Sequence, residues 1–519
     1  MKKNKKYIII AVAALVVLVG ALLALIFWPK GEDDPNSHID NGTELTTSVD
    51  ENGIHQASLV LNEKGELDRN SYGTLLSYAP ADISTIDVSN TSGSYQITSY
   101  TPTTTDEEGD TITESTQYTL VGFEDFQLQT GKPDAVANNV ASLEFTSVAS
   151  VDGKIASDFG FDSPRSTATV TYNDGTKAVI TVGAEAPAGA GSYVKFGSGE
   201  PIYLVQDSAV EALLYNINDL ISLTINDSVP SGVDSNPDSV TLSGTNFADE
   251  VQFVKNTDGT NSASYVLTKP NELVADENKT SLVTGALRGL YAESVAYVNP
   301  TQEQISACGL DNPAARVVAE FEDTTIDLSA SAPDSEGKVT LMSNGGKVIY
   351  RMASANLPWS TIKYEDLVSS YVLNPTLVAV KQMVVNDGSK DYTFEISSKV
   401  SNSTDSNGSE TTTTETTVNC GALNLTTEYF STYFQNLAYT EKVEKTASSP
   451  SGSPSLTITY SYNDKNSEDV VSYYPSSSGK FIAVVNGTAV GTVYQSRINK
   501  LIAQTSQIAS DESVETITT

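Results

Sequence analysis

Two histidines, two cysteines and a scatter of acids are the side chains with which this 519-residue chain could do chemistry. His38 and His55 both fall before residue 59, in a polar stretch. From residue 59 on there is no imidazole for a Ser–His or Cys–His pair, or for a His-ligated metal, unless that stretch folds back. Polar spacers seldom dock, so no fold-back is expected. Asp162 and Asp311 occupy matched places, in Phe159-Gly160-Phe161-Asp162-Ser163-Pro164 and Cys308-Gly309-Leu310-Asp311-Asn312-Pro313. Two carboxylates in one cleft could serve a hydrolase. The plainer reading is a turn: Gly supplies backbone freedom, Asp bonds nearby N–H groups, and Pro fixes the strand entry. The third such place, Gly452-Ser453-Pro454, has no Asp, which favours the turn. Cys308 shares its place with Phe159, a core position. Buried free thiols are expected for Cys308 and Cys420, with an inter-module disulfide as the alternative. Tyr203, Tyr350 and Tyr494 recur after β-branched residues; they could stack on a sugar, but strand packing is expected. Asp106-Glu107-Glu108-Gly109-Asp110 reads as a solvated hairpin tip rather than a calcium loop. No phosphate-binding glycine loop or nucleophile elbow is present in the sequence. No catalytic, cofactor-binding or metal-ligating residue is assigned.

Composition narrows the classes further. Thirty Lys+Arg against 65 Asp+Glu give a net charge of −35, which speaks against a duplex nucleic-acid partner. Two cysteines do not make a disulfide-stapled scaffold. A hydrophobic share of 39%, with 25 Tyr and 14 Phe, is enough to fill cores and excludes wholesale disorder.

The N-terminus predicts a compartment. Residues 2–6 carry four lysines, and Tyr7–Trp28 then runs without a charge. A helix of that length spans about 33 Å at about 1.5 Å per residue, enough for a hydrocarbon core of about 30 Å. The run is too long for a signal peptide and ends in bulky Leu25-Ile26-Phe27-Trp28, so an uncleaved anchor is expected. The lysines place residues 1–6 in the cytoplasm and residue 29 onward outside the cell. Gly20 and Ala24 form a small-xxx-small pair of a kind common by chance.

Beyond a juxtamembrane spacer, 29–58, the chain repeats itself. Pro164, Pro313 and Pro454 each open a β-branched or aromatic run that ends in Tyr172-Asn173-Asp174, Phe321-Glu322-Asp323 or Tyr462-Asn463-Asp464. Each run reads as a strand and each ending as a turn. A helical stripe precedes each: Val136, Val140, Leu143; Val283, Leu287, Leu290; Phe430, Phe434, Leu437. Each unit starts with a hairpin, YQITSY with TQYTLVG, VQFVKN with SYVLT, and DYTFEIS with TTETTVN, whose tips vary in length. Further helices are expected in AVEALLYNINDLIS, TIKYEDLVSSY and SRINKLIAQTS. The expected architecture is α+β: three tandem modules of antiparallel strands with covering helices, 59–222, 223–372 and 373–508, then a C-terminal tail 509–519. Ser222–Asp238 reads as a loose linker, and Tyr371–Thr376 as a short one that locks the second and third modules together.

The phrase from Phe159 to Pro164, the strand after it, Tyr172-Asn173-Asp174-Gly175 and Val182-Gly183 resemble the bacterial domain-of-unknown-function 4340 family. Cys308–Pro313 is similar, and the third copy departs most. The resemblance implies one N-terminal anchor ahead of repeat domains, and association of some members with gliding-motility-type ABC exporters. It implies no catalytic residues and no cofactor. The reading is therefore a single-pass envelope protein with its bulk outside the cell. It would bind or scaffold, with an ABC transporter subunit as the partner class. A carboxylate-based envelope hydrolase and a passive surface spacer or adhesin are the alternatives.

Overall fold

Described in the computed structural model are residues 44–60, 72–105, 111–153, 156–404, 410–445, 447–463, 468–476 and 479–518. The chain divides into two compact units, Met1–Ser222 and Leu223–Thr519. The expected span Tyr7–Trp28, His38 and the acidic tip 106–110 lie outside the described residues. Among the described residues no helix is long and apolar enough to cross a membrane.

The first unit opens with a hairpin, β1 (Glu44–Val49) and β2 (His55–Val60). Its turn is set by Asp50, whose carboxylate accepts from the N–H groups of Asn52 and Ile54 at 2.8 and 2.9 Å. β3 (Gly73–Ser77) pairs with β9 (Ser142–Phe145), and the short β6 (Thr103–Thr105) with β7 (Thr111–Thr113). The main sheet uses β4 (Ile83–Asn90), β5 (Gly93–Tyr100), β8 (Gln117–Leu120), β10 (Ser147–Ser150), β11 (Ser166–Tyr172), β12 (Lys177–Glu185), β13 (Ser192–Phe196) and β14 (Ile202–Val205). It is antiparallel, in the order β10-β14-β13-β12-β11-β4-β5-β8. Alternation along β11 turns Ala168, Val170 and Tyr172 inward. Helix Lys132–Ala141 covers that face with Val136, Ala137 and Val140, all fully buried. Leu143, third in the expected stripe, sits on β9 instead and is equally buried.

The second unit holds two large antiparallel sheets. One runs β18-β17-β16-β15-β20-β21-β22-β23-β19. Its strands are β15 (Ser239–Ser243), β16 (Val251–Lys255), β17 (Tyr265–Lys269), β18 (Leu273–Val274), β19 (Ser294–Val298), β20 (Ala315–Glu320), β21 (Thr325–Ala330), β22 (Lys338–Ser343) and β23 (Val348–Ala353). The other runs β27-β26-β25-β24-β28-β29-β30-β31. Its strands are β24 (Val380–Asn386), β25 (Asp391–Thr404), β26 (Glu410–Cys420), β27 (Leu423–Leu425), β28 (Leu456–Tyr462), β29 (Glu468–Pro475), β30 (Lys480–Val485) and β31 (Thr488–Tyr494). Fully buried Trp359 anchors the core under the first of these, and Phe394, Phe430 and Tyr433 that under the second.

All three large sheets follow one path. A first strand (β4, β15, β24) is central, and the hairpin strands add outward on one side. After a helix (Lys132–Ala141, Glu277–Thr284 or Thr427–Ala438) the chain returns to pair with the free edge of that first strand and adds four consecutive strands on the other side, which β10 and β19 extend by a fifth in the first two sheets. The central first strand is absent from the sequence reading, which starts each unit at the hairpin. The pattern in Ile83–Asn90 (ISTIDVSN) shows why: Ile86 and Val88 alternate, but the next buried residue, Ile83, is three positions from Ile86, where the pairing with β11 shifts register.

Several expectations change. Residues 209–222 form 3₁₀ turns (Glu211–Leu214 among them) and a four-residue helix Ile217–Leu220, because Asn216 accepts from Asn218 and Asp219 N–H and starts a new cap. Residues 361–371 likewise give only Tyr364–Leu367. Gln495–Ile508 is a full helix with Ile498, Leu501, Thr505 and Ile508 buried. The Ser/Thr-rich third tip is largely strand, paired from Phe394↔Cys420 to Thr404↔Glu410, since β-branched threonines suit a pleated ribbon. Part of the expected loose linker is docked: the Asn226 amide donates to Leu287 O at 2.6 Å and accepts from Leu290 N–H. Tyr371–Thr376 is tied on both sides, by Val372 N–H to Thr440 O and Thr376 N–H to Thr260 O, each 2.9 Å. The expected tail is pinned by the buried amide of Asn436, which accepts from Ile517 N–H and donates to Glu515 O, both at 2.9 Å.

Candidate functional site

Among the described residues, chemistry-bearing side chains gather in a cluster in the first unit and in a pocket in the second. In the first unit the polar stretch expected to stay undocked does fold back. Ile54 bridges Lys177, and the Gln56 side-chain oxygen accepts from Ser198 N–H at 2.7 Å. β2 thereby carries His55 onto the β11–β12 turn. Its Nε2 lies 2.9 Å from the Tyr78 hydroxyl and 3.2 Å from Thr176 Oγ1. Tyr78 stacks on Tyr172 at 3.8 Å between ring centres, and His55 meets both rings edge-on. The sequence signal that was there to read is the alternation of HQASLV, a strand pattern inside a nominal spacer.

The cluster has the residue types of a catalytic triad without its wiring. The acid, Asp174, takes the Thr176 hydroxyl proton at 2.6 Å and the Thr176 N–H at 2.8 Å. Those two bonds hold the Asp174 carboxyl below its usual range. A nucleophile–base–acid relay instead needs the acid on the far nitrogen of the imidazole. With the Thr176 proton given to Asp174, assigning the imidazole proton to Nε2 lets it donate to both oxygens. Burial lowers the His55 pKa, and Asp174 opposes that shift weakly. The arrangement straps β2 to the sheet.

The matched turns behave as turns. Asp311 accepts from Ser306 Oγ and Asn312 N–H, each at 2.9 Å, and both Asp162 and Asp311 are exposed. They belong to different units, each on its own turn. Gly160 has φ +81°, and a Cβ there would sit 2.7 Å from the Ala184 nitrogen, so the close approach requires glycine. Asn173 and Asn463 make a matched contact that sequence reading missed. Asn173 donates from its N–H to Asp82 O and from its side chain to Ala81 O, at 2.7 and 3.0 Å. Asn463 does the same to Ala379 O and Val378 O, at 2.9 and 3.1 Å. The second copy has Glu322 there and lacks the amide.

The recurrent tyrosines divide. Tyr203 and Tyr350 are buried, covered by β10 and β19 through Val148↔Tyr203 and Val295↔Tyr350. Tyr494 is 56% exposed, because β31 ends its sheet and the isolated Glu444–Thr492 bridge along that edge does not reach it. Cys308 and Cys420 are free thiols, half-buried rather than core, and burial raises both.

The second gathering is a pocket of about 200 Å³ in the second unit. It is lined by Lys442, Arg497 and Lys500 among Glu441, Tyr494 and Ile517. Buried Arg497 donates to four neutral oxygens: Asn436 O at 2.8 Å, Tyr439 O at 2.9 Å, Ile517 O at 3.2 Å and Thr440 Oγ1 at 3.3 Å. Burial lowers its pKa. Lys442 runs its aliphatic stem over Gly491, where a Cβ would lie 2.8 Å from Lys442 Cδ. Burial, helped by nearby Lys445, pushes Lys442 down to about 7. Sequence reading passed over these residues, since Lys442 and the helix residues Arg497 and Lys500 share no motif.

The family model described as Domain of unknown function (DUF4340) matches residues 118–313 and again 265–438. The two matches start at Tyr118 on β8 and Tyr265 on β17, the outer hairpin strands of their sheets. No match was found among curated proteins or among solved structures.

Proposed function

We propose, from the premise that this chain belongs to the DUF4340 family, that it is a non-enzymatic binding or scaffold protein of the cell envelope. Residues 7–28 anchor it as a single span, with the N-terminus in the cytoplasm and the bulk outside. The body is three tandem modules, 59–222, 223–372 and 373–508. The partner is a membrane protein, with an ABC-type transporter subunit as the class the family resemblance implies.

The observation that carries this reading is the reuse of one strand path in three large sheets. A path kept through three sheets while the turn acid of Asp162 and Asp311 gives way to Gly452 in the third is kept for its shape. The paired start points of the family matches and the shared Asn173 and Asn463 contacts support the same module boundaries. His55 supports the non-enzymatic side, because its ring fastens a hairpin. The charge-free Tyr7–Trp28 run behind four lysines supports the anchor.

The test is fractionation and protease shaving of intact cells expressing the full chain, followed by in-cell crosslinking. The chain is expected in the membrane fraction, cut from outside, and crosslinked reproducibly to a multi-span protein. A chain that fractionates away from membranes, or is protected from external protease, would overturn the placement. Failure to recover any repeated partner would overturn the scaffold role.

A further inference from the structure

The pocket at the end of β31 sets cations together in a chain whose net charge is −35. Lys442 comes from the segment after helix Thr427–Ala438, and Arg497 and Lys500 from the first turns of helix Gln495–Ile508. No acid stands in that helix's first turn, where one would ordinarily complement the backbone dipole. Among the described residues no carboxylate forms an ion pair with Lys442, Arg497 or Lys500. Neighbouring Lys480 shows the ordinary arrangement, bonded to Glu444 at 2.8 Å. Buried Arg497 is hydrogen-bonded to neutral oxygens, and Glu441 in the lining acts on it only through space, so its lost hydration is partly offset, a costly state that an anion in the pocket would relieve further.

We infer that this pocket is a binding site for a small organic carboxylate with an apolar or aromatic body. The charge fits a monoanion. Arg497 has most of its N–H groups committed to carbonyls, and Glu441 in the lining opposes a second negative charge. The body of the ligand meets Val443 and Tyr494 at the mouth, 36% and 56% exposed, and buried Ile517 inside. Exposed Tyr439 stands close by, its ring 5.5 Å from that of Tyr371. A volume of about 200 Å³ suits a ring bearing one carboxylate. The inference needs only this pocket and is independent of the membrane placement.

The experiment titrates the full chain in detergent micelles with benzoate, acetate and inorganic phosphate by calorimetry. Benzoate is expected to saturate one site and to bind at least tenfold tighter than acetate. Lys442→Met is expected to weaken benzoate at least tenfold, and the exposed-site variant Lys500→Gln severalfold. A thermal melt of each variant establishes folding, and Lys500→Gln keeps the test alive if Lys442→Met does not fold. Unsaturable benzoate, unchanged binding in Lys500→Gln, or phosphate binding tighter than benzoate would overturn the assignment.

Discussion

Replacing Tyr172 by phenylalanine removes one oxygen from a place where the sheet closes the end of a helix. Helix Lys132–Ala141 ends with three answered carbonyls, the last two of them from outside the helical ladder. Asn138 O takes Ser142 N–H, Ala141 O takes Tyr78 N–H at 2.8 Å, and Val140 O takes the Tyr172 hydroxyl at 2.7 Å. Tyr172 and Val140 are both buried, so water cannot replace the lost donor. Leaving such a carbonyl unanswered costs about 1–3 kcal/mol. Ring stacking on Tyr78 survives in phenylalanine, which isolates the hydroxyl. For a unit of this size that loss lowers the melting temperature by about 2–10 °C. The assay is urea unfolding read by hydrogen exchange on peptides spanning residues 132–145, with peptides of helix Gln495–Ile508 as the internal control. The midpoint should fall for the first set and stay put for the second. Unchanged exchange in 132–145 would refute the assignment of the hydroxyl as that helix's closing donor.

Further outcomes follow from the same geometry. Gly160→Ala should destabilise the first unit by about 1–3 kcal/mol through a clash and a positive φ, while Gly175→Ala, in open space at φ +85°, should cost about 1 kcal/mol, both read by chemical denaturation. His55 has its pKa lowered in the folded state, so the unfolded chain takes the proton first and acid favours unfolding. Between pH 7.5 and about 5.5 the urea midpoint should therefore fall more for wild type than for His55→Gln, and parallel curves would count against the strap. Lys442, at about 7 when folded, makes stability rise with pH from there toward the ordinary lysine range, because the unfolded chain holds the proton longer. Lys442→Met should flatten that rise in carboxylate-free buffer. Trp359→Ala should cost about 3–5 kcal/mol, since it empties a fully buried site and strips the donor at 3.2 Å from Ala286 O.

The sequence discloses those parts of this fold that repeat or alternate. The strand after Pro164 is legible because STATVTY sets β-branched residues in alternation and closes on an aromatic, and stripes such as Phe430, Phe434, Leu437 mark a true helix. Where a register shift breaks the period, as between Ile83 and Ile86 in β4 and between Val380 and Met383 in β24, the central strand goes unread although it joins the two halves of each sheet. AVEALLYNINDLIS has helical spacing, but Asn216 prefers to cap, and that local hydrogen bond outweighs the periodicity. The candidate sites were harder. His55 is visible as a residue, yet its partners Tyr78 and Thr176 stand 23 and 121 positions away. Lys442 and Arg497 are ordinary cations until burial makes them unusual, and burial is a property of the folded chain.

The way each central strand finds its last neighbour carries a kinetic consequence. β4 receives β5 at once, through a tight reversal, but its other margin waits for β11, synthesised only after the whole stretch to Ser166 has emerged. β15 waits likewise for β20, and β24 for β28. Joining such distant segments is slow, because loop closure must precede any gain from the contact. During that interval each nascent half-sheet offers a row of unsatisfied amides, the surface on which neighbouring chains cross-pair. A protein made this way places a premium on chaperoned or unhurried emergence, and a long segment inserted at the exposed turn of Val121 and Gly122 would lengthen the hazard while leaving the strand pairings themselves in place.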